Sequence, residues 1–227
     1  MRVGVLGTGM VGQAIAGKLS ELDHEVVVGT RDPAATLARQ EPDYAGNPPF
    51  PAWLDQHPKV RLAGLAEAAA HGELVVNATA GGAALEALGQ AGEANLDGKV
   101  LVDVGNPLDF SKGMPPSLAV VNTDSLGEQL QRAFPGARVV KTLNTVNAQL
   151  MVNPRLLADG DHTVFVCGDD ADAKALVTGL LTDGFGWRDV VDLGDISAAR
   201  GAEMLMPLWL RLMGGLGTPM LNYKIVR

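Results

Sequence analysis

The chain has 227 residues, a formal net charge of −8 and 47% hydrophobic residues, so it can bury a sizeable core and is not disordered by composition. That acidity excludes nucleic acid as a partner, because nucleic acid needs a basic field. One cysteine, Cys167, excludes an internal disulfide framework and fits a reducing cytoplasm, and no apolar stretch is long and uncharged enough for a signal or a membrane span.

The β-branched run at residues 3–6 predicts a first strand. It leads directly into Gly7-Thr8-Gly9-Met10-Val11-Gly12, which opens an amphipathic helix over 11–21 with Ile15, Leu19 and Leu22 on one face. G-x-G-x-x-G between a strand and a helix is a dinucleotide fingerprint. Gly7 permits the tight turn, Gly9 lets backbone approach a pyrophosphate, and Gly12 lets the helix pack close to the strand. The amides of residues 9–12 then face the phosphates from a helix N-terminus.

The second strand, 25–29, ends at a tip reading Thr30-Arg31-Asp32. An acid about 20 residues after the fingerprint normally holds the ribose hydroxyls. A carboxylate there repels a 2′-phosphate, whereas the Arg31 guanidinium binds one bidentately and Thr30 adds a neutral donor. The tip therefore selects NADP(H), unless Asp32 rather than Thr30 faces the ribose. Asp32 and Pro33 suit the N-cap and first position of a helix over 33–40.

Residues 41–59 hold five prolines with Tyr44, Phe50 and Trp53. They form either a packed crossover loop or a lid over the cofactor, before a short third strand around Arg61–Ala63. A helix at 65–71 leads to a strand over 74–79, ending in Ala78, Thr79, Ala80 and a helix start at Gly81-Gly82. After a helix at 83–91, the strand 99–104 ends in Asn106 and Pro107. After a helix at 125–133, the strand 138–143 ends in Asn144 and Thr145. These neutral groups face ribose, pyrophosphate and nicotinamide, or else cap helices and turns. A helix at 147–158, a strand at 163–168 that buries Cys167, a helix at 171–182, a strand at 188–193 and a nearly all-apolar helix at 197–213 follow.

Strands continuous in Val and Leu are covered on both faces. The pattern predicts a Rossmann-type, doubly wound, mostly parallel α/β sheet: an NADP-binding domain over 1–150 and a small α/β extension over 151–227 packed on it. His24, His71 and His162 precede strands, at the wrong sheet edge, and only His57 in the Pro-rich loop can reach the crevice. Lys141 lies inside its strand. No catalytic side chain and no metal site are expected, with Asp169 and Asp170 read as helix caps. Hydride exchange between two ring cofactors needs no general acid or base, only stacking and distance control.

"MRVGVLGTGMVGQAIAGKL", "EVVVGTRDP", "KTLNTVNAQL", "VCGDDADAKALV" and "VVDLGDISAARGAEMLMPLWLRLM" together resemble the NADP oxidoreductases dependent on coenzyme F420, a 5-deazaflavin. The same module is similar to the oxidoreductase domain of the STEAP ferric reductases. The resemblance implies that Thr8, Met10, Val11, Thr30 and Arg31 contact NADP, and that Asn106, Leu143 and Asn144 line the nicotinamide. The deazaflavin would stack over it under the C-terminal helix, at Asn144, Met206 and Pro207. Asp32 stands where a second basic residue often follows the arginine. NADPH and coenzyme F420 are the cofactors so implied, with a flavin or ferric reductase, or a non-catalytic NADP(H) sensor, as alternatives. The apolar helix at 197–213 is either core or interface, a homodimer being favoured over a buried monomer helix, and the protein is expected to be cytoplasmic.

Overall fold

The computed structural model describes residues 1–42 and 46–227. Its strands are β1 (Arg2–Leu6), β2 (Glu25–Thr30), β3 (Arg61–Gly64), β4 (Leu74–Asn77), β5 (Val100–Asp103), β6 (Leu108–Asp109), β7 (Ser117–Leu118), β8 (Arg138–Thr142), β9 (Thr163–Cys167) and β10 (Asp189–Asp192). Eight of them form one sheet in the spatial order β10-β9-β8-β5-β4-β1-β2-β3, and β6 and β7 make a separate hairpin. The six strands from β3 to β8 across the sheet are parallel. β9 runs antiparallel to β8, with Lys141 opposite Cys167, and β10 runs with β9. This is the doubly wound, mostly parallel α/β fold the sequence predicts, and the strands after residue 150 continue its sheet.

Alternation of side chains along each strand divides the core into two layers. Val26, Val28, Leu74, Val76, Val100 and Val102 face one side with Ile15 and Leu19 of helix α1 (Met10–Glu21). Val27, Val75 and Leu101 face the other. There they meet Ala68 of α4 (Leu65–His71), Leu88 of α5 (Ala84–Ala91) and Leu130 of α7 (Leu126–Ala133). Each fully buried valine or leucine contributes about 1.5–3 kcal/mol, so the interleaved layers hold the strand ends, and the turns on them, in fixed register.

The remaining helices are α2 (Pro33–Leu37), α3 (Phe50–Asp55), α6 (Glu93–Leu96), α8 (Ala148–Val152), α9 (Ala171–Gly179), α10 (Ala199–Met204) and α11 (Met206–Leu216). Four predicted helices are shorter or divided, and the one expected over 33–40 ends at Leu37. The helix expected over 147–158 ends at Val152 and gives way to single turns, because Pro154 cannot continue it. The helix expected over 171–182 stops at Gly179 and widens into a broader turn over Leu180–Phe185, closed by left-handed Gly186. The last helix breaks at Leu205: Pro207 has no amide for an α-helical bond to residue 203, and α11 restarts with Pro207 in its first turn.

Within the Pro-rich segment, Phe50 is 2% exposed in the main core. Trp53 stacks on His57 with centroids 4.1 Å apart. The expected role of Tyr44 lies outside the described residues. Among the described residues, no helix is long and apolar enough to cross a membrane.

Candidate functional site

The spatial order reverses between β1 and β4, and a cleft of about 580 Å³ opens across the carboxyl ends of the strands there. Gly7, Thr8, Gly9, Gly29, Thr30, Arg31, Asp32, Ala78, Thr79 and Ala80 line it, with Arg39 and Glu86. Each fingerprint glycine has its own steric reason. Gly7 has φ +121°, and a Cβ on it would stand 2.5 Å from the carbonyl oxygen of Ala78. A Cβ on Gly12 would stand 2.1 Å from the carbonyl oxygen of Gly7, so α1 packs onto the turn only without a side chain. A Cβ on Gly9 meets nothing within 4 Å, which leaves backbone exposed to the cleft. Met10 and Val11 open α1 without lining the cleft, and Val11 packs on the core.

At the β2 tip, Asp32 caps α2, its Oδ1 accepting from the Ala35 amide at 2.9 Å, with Pro33 following. Arg31 is left exposed at the rim. The Thr30 hydroxyl is shared with buried Thr36 at 3.0 Å. Arg39 was not singled out from sequence, yet its Nη1 lies 3.4 Å from Thr8 Oγ1, across the cleft from the Gly-rich turn. The only signal for it is a basic residue within the helix expected over 33–40, and it lies two residues beyond the end of α2.

At the other end, the turns after β4, β5 and β8 converge. Thr79 donates through both its amide and its hydroxyl to Asn77 Oδ1, at 3.3 and 2.6 Å. A Cβ on Gly81 would meet the Asn106 carbonyl oxygen at 2.0 Å, so these two turns touch through backbone. Asn106 Nδ2 donates to the Asn144 carbonyl at 2.7 Å, and Asn144 Nδ2 donates to Asn106 Oδ1 at 2.9 Å. Leu143, between β8 and Asn144, has φ +59°, a left-handed conformation that costs a non-glycine residue roughly 1–3 kcal/mol. Pro107, Leu143, Asn144 and Thr145 are buried beside Asn106.

Lys141 is turned away from the cleft. Its side chain is 0% exposed and its ammonium is paired with Asp103 at 2.7 Å and Glu203 at 2.8 Å. Burial alone would drive Lys141 towards neutrality, but the two opposing charges and the bonds to them outweigh it and hold its pKa above the usual lysine value. His57 is fixed on α1 instead of the cleft: its Nδ1 is 2.7 Å from the Trp53 carbonyl, and a Cβ on Gly17 would lie 3.2 Å from its ring. Cys167 is 1% exposed, and burial pushes its thiol up to about 12. No group of three or more His, Cys, Asp and Glu among the described residues is arranged to hold a metal.

A second cavity, about 560 Å³, lies between the β6–β7 hairpin and the C-terminal helices. Pro115, Pro116, Leu118, Met204, Pro207 and Arg211 are among its walls. Pro207 thus reaches a cavity, whereas Met206 is packed inward with Trp209 and Leu221. The hairpin was not anticipated, because strands of two residues carry no readable periodicity.

The family model described as coenzyme F420-dependent NADP oxidoreductase matches residues 2–107. The chain is 28% identical over 218 residues to the F420-dependent NADP reductase of Methanothermobacter marburgensis, covering 93% of this chain and 92% of that one. It is 30% identical over 214 residues to metalloreductase STEAP3 of Rattus norvegicus, covering 92% of this chain but only 38% of STEAP3. A solved structure from Arthrobacter sp. FB24, provisionally assigned as an F420-dependent NADP-reductase, is 61% identical with a TM-score of 0.95 over 99% of both chains. The chain belongs to the coenzyme F420-dependent NADP oxidoreductase family and is an NADP-dependent oxidoreductase.

Proposed function

We propose that the protein transfers a hydride directly between NADP(H) and the deazaflavin coenzyme F420, ring to ring, with no side-chain acid or base. The observation that carries this reading is the division of polarity along the crevice. Arg31 and Arg39 line one end, where Asp32 is taken up in capping α2 and Glu86 also lines the wall, and the neutral side chains of Thr79 and, on the turns beyond it, of Asn106, Asn144 and Thr145 stand at the other. Cations suit a 2′-phosphate and a pyrophosphate, and neutral hydrogen-bonding groups suit a carboxamide-bearing ring.

In this reading the pyrophosphate lies on the amides of Gly9, Met10, Val11 and Gly12, while Gly7, whose amide donates to the Gly29 carbonyl at 2.9 Å, and Thr8 form the turn that presents them. Thr30, Arg31 and Arg39 hold the adenosine 2′-phosphate. The ribose lies along Ala78, Thr79 and Ala80, and the nicotinamide lies against Asn106, Pro107, Leu143, Asn144 and Thr145. Bound there, NADPH supplies the hydride, and the chain's own residues hold the ring and exclude water. The segment 151–227 forms the acceptor side, with Asn144 and Pro207 towards the deazaflavin and Met206 supporting that wall from within. Lys141, the nearest strand cation, is occupied by Asp103, Glu203 and the Gly105 carbonyl, which fits a transfer whose proton comes from solvent.

Leu208, Leu212 and Leu216 form an exposed row along α11, and on that row we place the contact of a cytoplasmic homodimer. Reduction of an ordinary flavin is the second reading, favoured by the similarity to STEAP3. The test is to mix the purified protein with NADPH and either the deazaflavin or FMN. Loss of the deazaflavin's visible band at a rate well above that of FMN supports the proposal. The reverse order supports the second reading.

A further inference from the structure

Beneath the ring end of the crevice, six residues close a bonded ring. Asp103 Oδ1 accepts from the Asn77 carboxamide at 2.8 Å and from the Gly105 amide at 3.1 Å. Its Oδ2 accepts from Lys141 Nζ at 2.7 Å. The other two ammonium protons go to the Gly105 carbonyl at 2.6 Å and to Glu203 Oε1 at 2.8 Å. Glu203 belongs to α10, and its two oxygens also accept the Leu126 and Gly127 amides at the start of α7, at 2.9 and 3.0 Å. The path then returns to the crevice. Ala202, the residue before Glu203, accepts from Asn144 Nδ2 at 3.1 Å, and Asn144 and Asn106 hold each other. Asn106 directly follows Gly105, which Lys141 grips.

Every charged member is buried: Asp103 and Lys141 side chains are 0% exposed and Glu203 is 1%. Both oxygens of each carboxylate act as acceptors, so one ammonium faces two carboxylates, and the amides of α7 take up part of the surplus negative charge. Apolar residues of the same volume often stabilise a fold as well as such a cluster does. A salt-bridge cluster does something apolar packing does not: it fixes directions.

We propose that Glu203 is a positioning residue for the transfer. Through Lys141 and Gly105 on one side, and through Ala202 and Asn144 on the other, it sets the Asn106–Asn144 pair from the C-terminal segment. The Gly-rich turn then governs affinity for the dinucleotide, and α10 governs how its ring is held. This rests on the reading that the two carboxamides face the nicotinamide.

The experiment compares Glu203→Gln, Asn144→Ala and Arg200→Ala with the wild type. Arg200 Nε donates to Glu128 on α7 at 2.8 Å, so Arg200→Ala loosens the same helix without opening the ring. The readouts are the affinity for 2′,5′-ADP, which lacks the nicotinamide, the fluorescence anisotropy of bound NADPH, and the hydride rate to the deazaflavin at saturating NADPH. Glu203→Gln and Asn144→Ala should keep 2′,5′-ADP affinity, lower the anisotropy, and slow transfer by about ten- to a hundred-fold, the scale of a small misplacement. Arg200→Ala should lower Tm and leave anisotropy and rate unchanged. Wild-type anisotropy in the two ring-opening variants, or losses in all three that track Tm, would overturn the proposal. If Glu203→Gln does not fold, Glu203→Asp, which keeps the charge on a shorter side chain, replaces it with the same expected and contrary outcomes. If the wild type fails to reduce the deazaflavin, the functional reading falls, while the anisotropy comparison still judges Glu203.

Discussion

Arg39 Nη1 and Thr8 Oγ1 lie 3.4 Å apart across the cleft, so the segment after α2 and the Gly-rich turn close on the same space from opposite sides. Together with Arg31 at the rim, this gives the phosphate end two cations. Arg31→Ala and Arg39→Ala should each raise KM for NADPH by about ten- to a hundred-fold, the worth of a charge-assisted hydrogen bond. Arg31→Ala should leave NADH nearly untouched, because NADH has no 2′-phosphate. Steady-state kinetics with both cofactors separate the two arginines: an equal loss for NADH in Arg39→Ala assigns it to the pyrophosphate.

Gly9 and Gly12 share a motif but fail differently when changed. Gly12→Ala forces a methyl to 2.1 Å from the Gly7 carbonyl, an overpacking that costs about 1–3 kcal/mol or more. Gly9 has φ −77° and ψ 179° with open space beyond it, so Gly9→Ala should change stability by less than about 0.5 kcal/mol while its methyl obstructs the phosphates. Thermal melts paired with NADPH titrations should show Gly12→Ala losing Tm and Gly9→Ala losing affinity.

Cys167 is the chain's one thiol, buried in β9 with its pKa pushed up to about 12 by that burial. At pH 8 a disulfide reagent should find no reactive thiol in the folded protein and one in denaturant. Rapid reaction of the native protein would mean that β9 opens on the time scale of the assay.

Arg132 donates two hydrogen bonds to Asp124, at 2.9 and 2.8 Å, and these bonds bring the Asp124 carboxyl down to about 2. A depressed carboxylate contributes stability above its unfolded pKa, here 3.8, and loses it as pH falls through the folded value. Asp124→Asn should therefore melt below the wild type at neutral pH, with the gap closing between about pH 4 and pH 2. The gap should be small, because both side chains are partly in solvent.

Much of the architecture was legible because strands buried on both faces read as unbroken Val and Leu runs, and seven were located within about two residues. The crevice residues were legible by position: Asn106 and Asn144 follow strands whose carboxyl ends must meet at the reversal of strand order. What stayed hidden depends on long-range contact. Glu203 sits in a stretch dominated by apolar residues, and its partners Lys141 and Leu126 are distant in the chain. Arg39 required knowing how far α2 carries the backbone. The break at Leu205 was signalled by Pro207, but the apolar pattern on either side overrode it.

Direct transfer from one ring carbon to another fixes where a label must end up. NADPH deuterated at the transferring face of C4 is mixed with the deazaflavin and the enzyme in ordinary water, and the reduced deazaflavin is weighed by mass spectrometry. One deuterium should be retained on the ring carbon per molecule reduced. Reduction with the deuterium lost to water, or tight NADPH binding without any reduction, would contradict it.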